Sequence, residues 1–309
     1  MIKGSYIHPQ PIDRLEAFLM RLLFAGVVWD FIPWVFEKNT FERPVGIAAL
    51  GFPMDWLSDE GTMRVFNYAA LALLAVYVWG RWLWLITPVL CLMTIPPGTF
   101  INSIDLSHGH QIVSLVLMGQ SLWFIWFAIR HRFGGDRLER DRGMAFASLQ
   151  TIVAIYMTTG ITKLLSSGLG WMNQGASYYA LQIRKTNSQA FHDRLEDVGG
   201  IGRSVENYFL DHPTMAAAFL GCGLLLEVGA FVALFGRRWS FLAGVIILAF
   251  HGTNSIVMKL NFRFHNEIVI IFLMLPALVH WIRQWSTRRT RQIVHDSHAP
   301  GHGARAAKG

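Results

Sequence analysis

Long apolar runs, each closed off by a short polar or basic segment, recur along almost the whole chain. A membrane-crossing helix needs about 20 mostly apolar residues. Eight stretches meet that rule, at roughly 14–36, 65–80, 82–101, 110–129, 145–165, 213–235, 239–258 and 266–283. The second and third are short and separated only by "GRW", so a count of seven stays open. Within 166–212, "SQAFHDRLEDVGGIGRSVENYFLDHP" patterns as one or two amphipathic helices lying on a membrane surface. The tail over 286–309 is polar and glycine-rich and is expected to be disordered. The pattern predicts an all-α, polytopic integral membrane helical bundle: one membrane domain over 1–285, with 166–212 as an outward-facing loop carrying short surface helices.

Composition sharpens this picture. Of 309 residues, 53% are hydrophobic and only 15% charged, where soluble chains carry about 25% charged residues. The 12 tryptophans and 22 phenylalanines suit bilayer interfaces, which favour amphipathic aromatics. A net charge of +7 would fit nucleic acid, but its placement in short loops and the tail argues for membrane topology instead. Cys91 and Cys222 lie in apolar stretches and offer neither a metal spacing nor a disulfide. The N-terminus lacks a signal-peptide layout and reads as a retained first helix.

Lysine and arginine in short loops set the orientation. "RHRFGGDRLERDRG" (130–143) holds five arginines and is expected to be cytoplasmic. "GRRW" (236–239) and the segment after Trp281 are basic too, and the helix count puts all three on one side. Both termini are then cytoplasmic, while 37–64, 101–110 and 166–212 face outward. "KLNFRFHNE" (259–267) goes against the rule, because it faces outward yet carries Lys259 and Arg263.

Ionisable groups within spans are costly, so each is a functional candidate. On this topology Asp30, Asn102, Asp105, His108, His110, Thr158, Thr159, Thr162, Lys163, His251, Asn254, Ser255, Arg263, His265 and Glu267 fall at the outer level. Glu227 falls in an inner half. The clustering predicts an outward-opening polar cavity. Each member also has a plainer reading. Lys163 could snorkel to headgroups, His108 and His110 could be loop histidines, and His251 could be a hydrogen-bonded packing residue. Asp30 and Glu227 could be ion-pair partners, Glu227 reaching Arg237 or Arg81. No GxSxG, HExxH, P-loop or dinucleotide turn is present, and no metal site is expected. A desolvated lysine, however, is a usable base.

"GITKLLSSGLGWMNQGASYY", with Gly160, Lys163, Leu164, Trp171, Gly175 and Ala176, resembles a stretch of the vitamin K-dependent carboxylase-like membrane family, also called the horizontally transferred transmembrane (HTTM) domain. "LLLEVGAFVALFGRRW…FHGTNSIVM", with Glu227 and His251, is similar to that family's later helices. "NSIDLSHGH" sits where the family has an Asn/His-containing helix start. The resemblance covers roughly 14–283. It implies a multi-helix membrane domain with a lumenal or periplasmic site. In the carboxylase the lysine of this stretch deprotonates vitamin K hydroquinone. Oxygenation then makes a stronger base, which removes a glutamyl γ-proton before CO₂ adds. Carried over, Lys163 is that base and His108 or His110 its neighbour.

The chain stops soon after its last span, so the large soluble domain that holds the carboxylase's protein substrate is not expected, nor γ-carboxylation itself. What is expected is an apolar pocket with a base at its outer end, taking a quinol or lipid-like molecule as substrate or cofactor. Lys163, His108, His110 and His251 are the catalytic candidates. Trp171, Tyr178, Tyr179, Asn254, Arg263 and His265 are the substrate-binding candidates, with Trp171 and either Tyr178 or Tyr179 helping to close the mouth. The expected setting is a bacterial cytoplasmic (inner) membrane with a periplasmic active face. The partners are lipid, a quinone or quinol, and in one reading another protein; nucleic acid is not among them. The alternative is a non-catalytic membrane subunit or maturation factor that holds a lipid or a partner protein.

Overall fold

The computed structural model describes residues 12–32, 48–51, 55–104, 111–194 and 200–297. Among these residues the only regular structure is helical. In order, the α-helices are α1 (Arg14–Phe31), α2 (Glu60–Trp79), α3 (Leu83–Ile104), α4 (Gln111–Arg130), α5 (Arg137–Ser167), α6 (Gly170–Arg194), α7 (Ile201–Asp211), α8 (Pro213–Gly229), α9 (Arg237–Met258), α10 (Arg263–Val269) and α11 (Leu275–Ser297). A 3₁₀ segment, Ala230–Phe235, prolongs α8. One π-helical stretch, Ile270–Met274, joins α10 to α11 just ahead of Pro276, which has no N–H to donate back. The Ser240 hydroxyl donates to the Leu273 carbonyl at 2.9 Å, satisfying a group the widened turn leaves open.

Six of these helices are long and apolar enough to cross a membrane: Glu60–Trp79, Gln111–Arg130, Arg137–Ser167, Pro213–Phe235, Arg237–Met258 and Arg263–Thr287. The first and third expected spans are helical as well. However, α1 carries Arg14, Glu16, Arg21 and Asp30 within its 18 residues, and the apolar part of α3 is the shorter Leu83–Thr99. Large apolar side chains cover outward faces, Leu122 being 64% and Leu225 74% exposed. This surface is compatible with an integral membrane protein.

Helix starts follow capping chemistry more than hydropathy. Asp13 accepts from the Leu15 and Glu16 amides at 2.8 and 2.9 Å, while the Glu16 carboxylate accepts from the Asp13 amide at 3.0 Å. Asp136 caps α5 in a similar way, so that helix begins in the arginine-rich segment, eight positions before the expected 145. Helix α11 likewise runs to Ser297, through much of the tail expected to be disordered; 298–309 lie outside the described residues.

Helix α1 packs against α2, α5, α10 and α11, while α4 packs against α3 and α5. A buried relay ties three helices together. The Tyr77 hydroxyl donates to Gln120 Oε1 at 2.9 Å, and Gln120 Nε2 donates to Ser148 Oγ at 2.9 Å. Within 166–212 the described residues form the shorter α7 and α6, which is 25 residues long and packs on α7, α8 and α9. Tyr179, Ile183 and Asn187, one turn apart, bury that face against Val257 and Met258.

The basic segments meet at one end of the bundle. Arg21 lies 2.9 Å from Asp141, which Arg140 also holds at 3.1 Å. Arg237 reaches Glu16 at 3.0 Å, Arg283 pairs with Asp13, and Arg142 Nε donates to the Ile12 carbonyl at 3.2 Å.

Candidate functional site

Helix α5 carries Tyr156, Gly160 and Lys163 at i, i+4 and i+7, on one face. Gly160 is where α8 comes closest: a Cβ there would stand 2.9 Å from Val228 Cγ2 and 3.0 Å from Glu227 Cβ. This close approach brings Glu227 to Lys163. The Lys163 Nζ donates to Glu227 Oε1 at 2.5 Å and Oε2 at 2.7 Å, and it lies 4.9 Å from the Trp171 ring centroid. The side chains of Lys163 and Glu227 are 28% and 11% exposed.

Glu227 therefore belongs to the Lys163 level and not to an inner half, and it reaches neither Arg237 nor Arg81. Arg237 is taken by Glu16, and Arg81 stacks over Trp79. Counting from the ends of 213–235 misplaces Glu227, because its level is set by where α5 and α8 meet, at Gly160 and Lys163. Lys163 does not lie along lipid as a simple snorkelling lysine would. As a base it must first pass its proton to Glu227 or lose that partner.

A second polar group adjoins the first. The Tyr156 hydroxyl and His251 Nε2 are 3.2 Å apart, and His251 Nδ1 and Asn266 Oδ1 are 2.9 Å apart. Tyr156 lies one turn before Gly160, the residue that packs on Glu227. His251 is 4% exposed and faces the interior, as expected. Its ring stacks on Phe262 with centroids 4.4 Å apart and meets the His265 ring edge-on at 5.6 Å.

Among the binding candidates, Trp171 lies at Lys163 and His265 at His251, while Tyr179 and Asn254 pair with each other. Tyr179 donates to Asn254 Oδ1 at 2.8 Å and packs against Phe209 and Phe219. Burial pushes the Tyr179 hydroxyl's pKa up, so it is a donor and not a phenolate. Tyr178 does not close a mouth. It is 72% exposed, because adjacent helical positions point about 100° apart. Arg263 is held by Asp30 and, at 2.9 Å, by Glu267, which accounts for the basic residue that opposed the charge rule and makes Asp30 an ion-pair partner. His108 and His110 lie outside the described residues, and the side chain of Asn102 is likewise not described.

Three participants were missed from sequence. Tyr156 reads as apolar, Asn266 as a helix-start residue, and Asn187, whose Nδ2 donates to the Val257 carbonyl at 2.8 Å, as loop polarity. The spacing of Tyr156, Gly160 and Lys163 was the signal available. Among the described residues no three of His, Cys, Asp and Glu converge as metal ligands. What the arrangement can do is move a proton between an amine, a carboxylate, a phenol and an imidazole. No protein-family model, no curated protein and no solved structure matches this chain.

Proposed function

We propose that this chain is an integral protein of the bacterial cytoplasmic membrane. In this reading it has eight spans, both termini are cytoplasmic, and Lys163 acts as a base toward a quinol or lipid-like molecule entering from the periplasmic side. The observation that carries the reading is the Lys163–Glu227 pair at 2.5 and 2.7 Å, set beside the Tyr156–His251–Asn266 group within otherwise apolar helices. Ionisable groups so placed are costly, and function commonly retains them. The resemblance of Gly160–Tyr179 to the HTTM, carboxylase-like family is the second support. Lys163 also stands roughly 39 Å along α5 from Arg137 at 1.5 Å per residue, toward the end opposite the arginines.

The chemistry is a proton transfer. Moving a proton from Lys163 to Glu227 leaves a neutral amine beside a neutral acid. The amine then takes the hydroxyl proton of a bound quinol, giving quinolate and an ammonium. In this reading Tyr156, one turn before Gly160 on α5, and His251, 3.2 Å from its hydroxyl, carry the displaced proton onward. Trp171, over the ammonium, offers a face against which a quinol ring can lie.

A second reading has its own observation. The close approach at Gly160 and the fully engaged Lys163–Glu227 pair also describe a clamp between α5 and α8, in a non-catalytic subunit that holds a lipid or partner protein. Mass spectrometry of small molecules that co-purify with the detergent-extracted chain separates the two. A quinone or quinol in near one-to-one amount is the expected result. Bulk bilayer lipid alone would favour the clamp.

A further inference from the structure

At the opposite end of the bundle, the α2–α3 turn and the α4–α5 turn enclose a cavity of 330 Å³. We propose that this cavity binds the phosphate of an anionic phospholipid. Three arginines, Arg81, Arg137 and Arg140, are among its lining residues, and among the described residues no Asp or Glu lines it. Three other arginines at this end are held by carboxylates: Arg237 by Glu16, Arg283 by Asp13 and Arg21 by Asp141. Arg140 shares that same Asp141, so two guanidiniums face one carboxylate there. Arg81 rests over the Trp79 ring at 4.6 Å. Neither Arg81 nor Arg137 has a carboxylate partner among the described residues. Arginines in excess of carboxylates therefore border a space large enough for a phosphate headgroup.

The backbone of the two turns is unusual as well. Trp82 at φ 49°, Arg132 at φ 49° and Phe133 at φ 66° hold left-handed conformations, three of the four non-glycine examples among the described residues. Bulky side chains rarely adopt that conformation, and such strain gathers where a ligand site over-determines the backbone. Trp82 and Phe133 are both lining residues of the cavity, and Phe133 meets Trp84 edge-on at 5.1 Å. Trp82, Trp84 and Phe133 are exposed beside the guanidiniums. A ligand that pairs a phosphate with hydrocarbon satisfies both chemistries, whereas a free anion leaves the aromatic wall bare. Basic pockets between helix ends are suited to anionic headgroups. This inference is independent of Lys163.

The test is native mass spectrometry of the delipidated full chain in detergent, titrated separately with dioleoylphosphatidylglycerol, dioleoylphosphatidylcholine and inorganic phosphate. The expected result is saturable retention of phosphatidylglycerol, weakened by about tenfold or more in Arg81→Gln/Arg137→Gln. Neither side chain supports the fold through an ion pair, so this variant should match the wild type in elution volume and lipid-free thermal midpoint. A misfolded double variant is replaced by the single variants, each expected to show a partial loss. Equal retention of phosphatidylcholine, or unchanged phosphatidylglycerol retention in the folded variants, overturns the proposal. Arginine-dependent binding of inorganic phosphate without phosphatidylglycerol retention overturns the lipid assignment.

Discussion

The Lys163 ammonium is gripped by both carboxylate oxygens of Glu227, at 2.5 and 2.7 Å, across a sequence separation of 64. Each charge is largely withdrawn from solvent, so neither is stable alone. A partly buried pair differs from a surface one in what happens when one member is removed: the survivor stays desolvated and uncompensated.

The consequence is a non-additive mutant cycle. Lys163→Met should destabilise the chain by about 2 kcal/mol, with Glu227→Gln costing less because the amide can still accept a hydrogen bond. Lys163→Met/Glu227→Met should recover most of the loss. Denaturant unfolding in detergent reads all three, and additive losses would mean the two side chains do not depend on each other.

Gly160 is the position that allows the pair to form. A Cβ there meets Val228 Cγ2 at 2.9 Å and the Val228 amide nitrogen at 3.1 Å. The second contact is backbone and cannot rotate away. Gly160→Val should therefore separate α5 from α8 and cost about 1–3 kcal/mol. Gly168→Ala would not be an informative control, because Gly168 has φ 58°. Gly26→Ala is informative, since nothing lies within 4 Å of its Cβ position, and it should leave the thermal midpoint unchanged. A Gly160→Val protein as stable as the wild type would mean that α5 and α8 are not held at this contact.

How much of this was legible beforehand differs by feature. The helices were, because a run of apolar residues bounded by basic turns has few other folds available. Their ends were less so: counting hydropathy put the start of α5 at 145, while the Asp136 cap and helix-favouring charged residues start it at Arg137. The depth of Glu227 was not legible, because two antiparallel helices can slide by a turn without changing either sequence pattern. The interior placement of His251 was legible, since a histidine between "GVIILAF" and "GTNSIVM" needs partners. Which partners it takes, Tyr156 and Asn266, depends on tertiary register.

The arginine-rich end and the α6–α7 end should lie on opposite sides of the membrane, with Arg137 inside. Arg137 and Ser188 are both exposed, so single cysteines introduced there in a background free of Cys91 and Cys222 report the two ends separately. An impermeant thiol reagent on intact cells should modify position 188 and spare 137. Modification of 137 alone would invert the bundle and put Lys163 on the cytoplasmic side.

The most direct measurement of the central claim is naphthoquinol oxidation under dioxygen by wild-type and Lys163→Arg protein, followed by absorbance in detergent. Arginine preserves the positive charge and the pairing with Glu227 but does not give up its proton. Lys163→Arg should therefore unfold at the wild-type midpoint yet lose about 100-fold or more in turnover, the scale of a missing general base. A folded Lys163→Arg protein that oxidises the quinol at the wild-type rate, or a wild-type protein that leaves it untouched, would contradict the account.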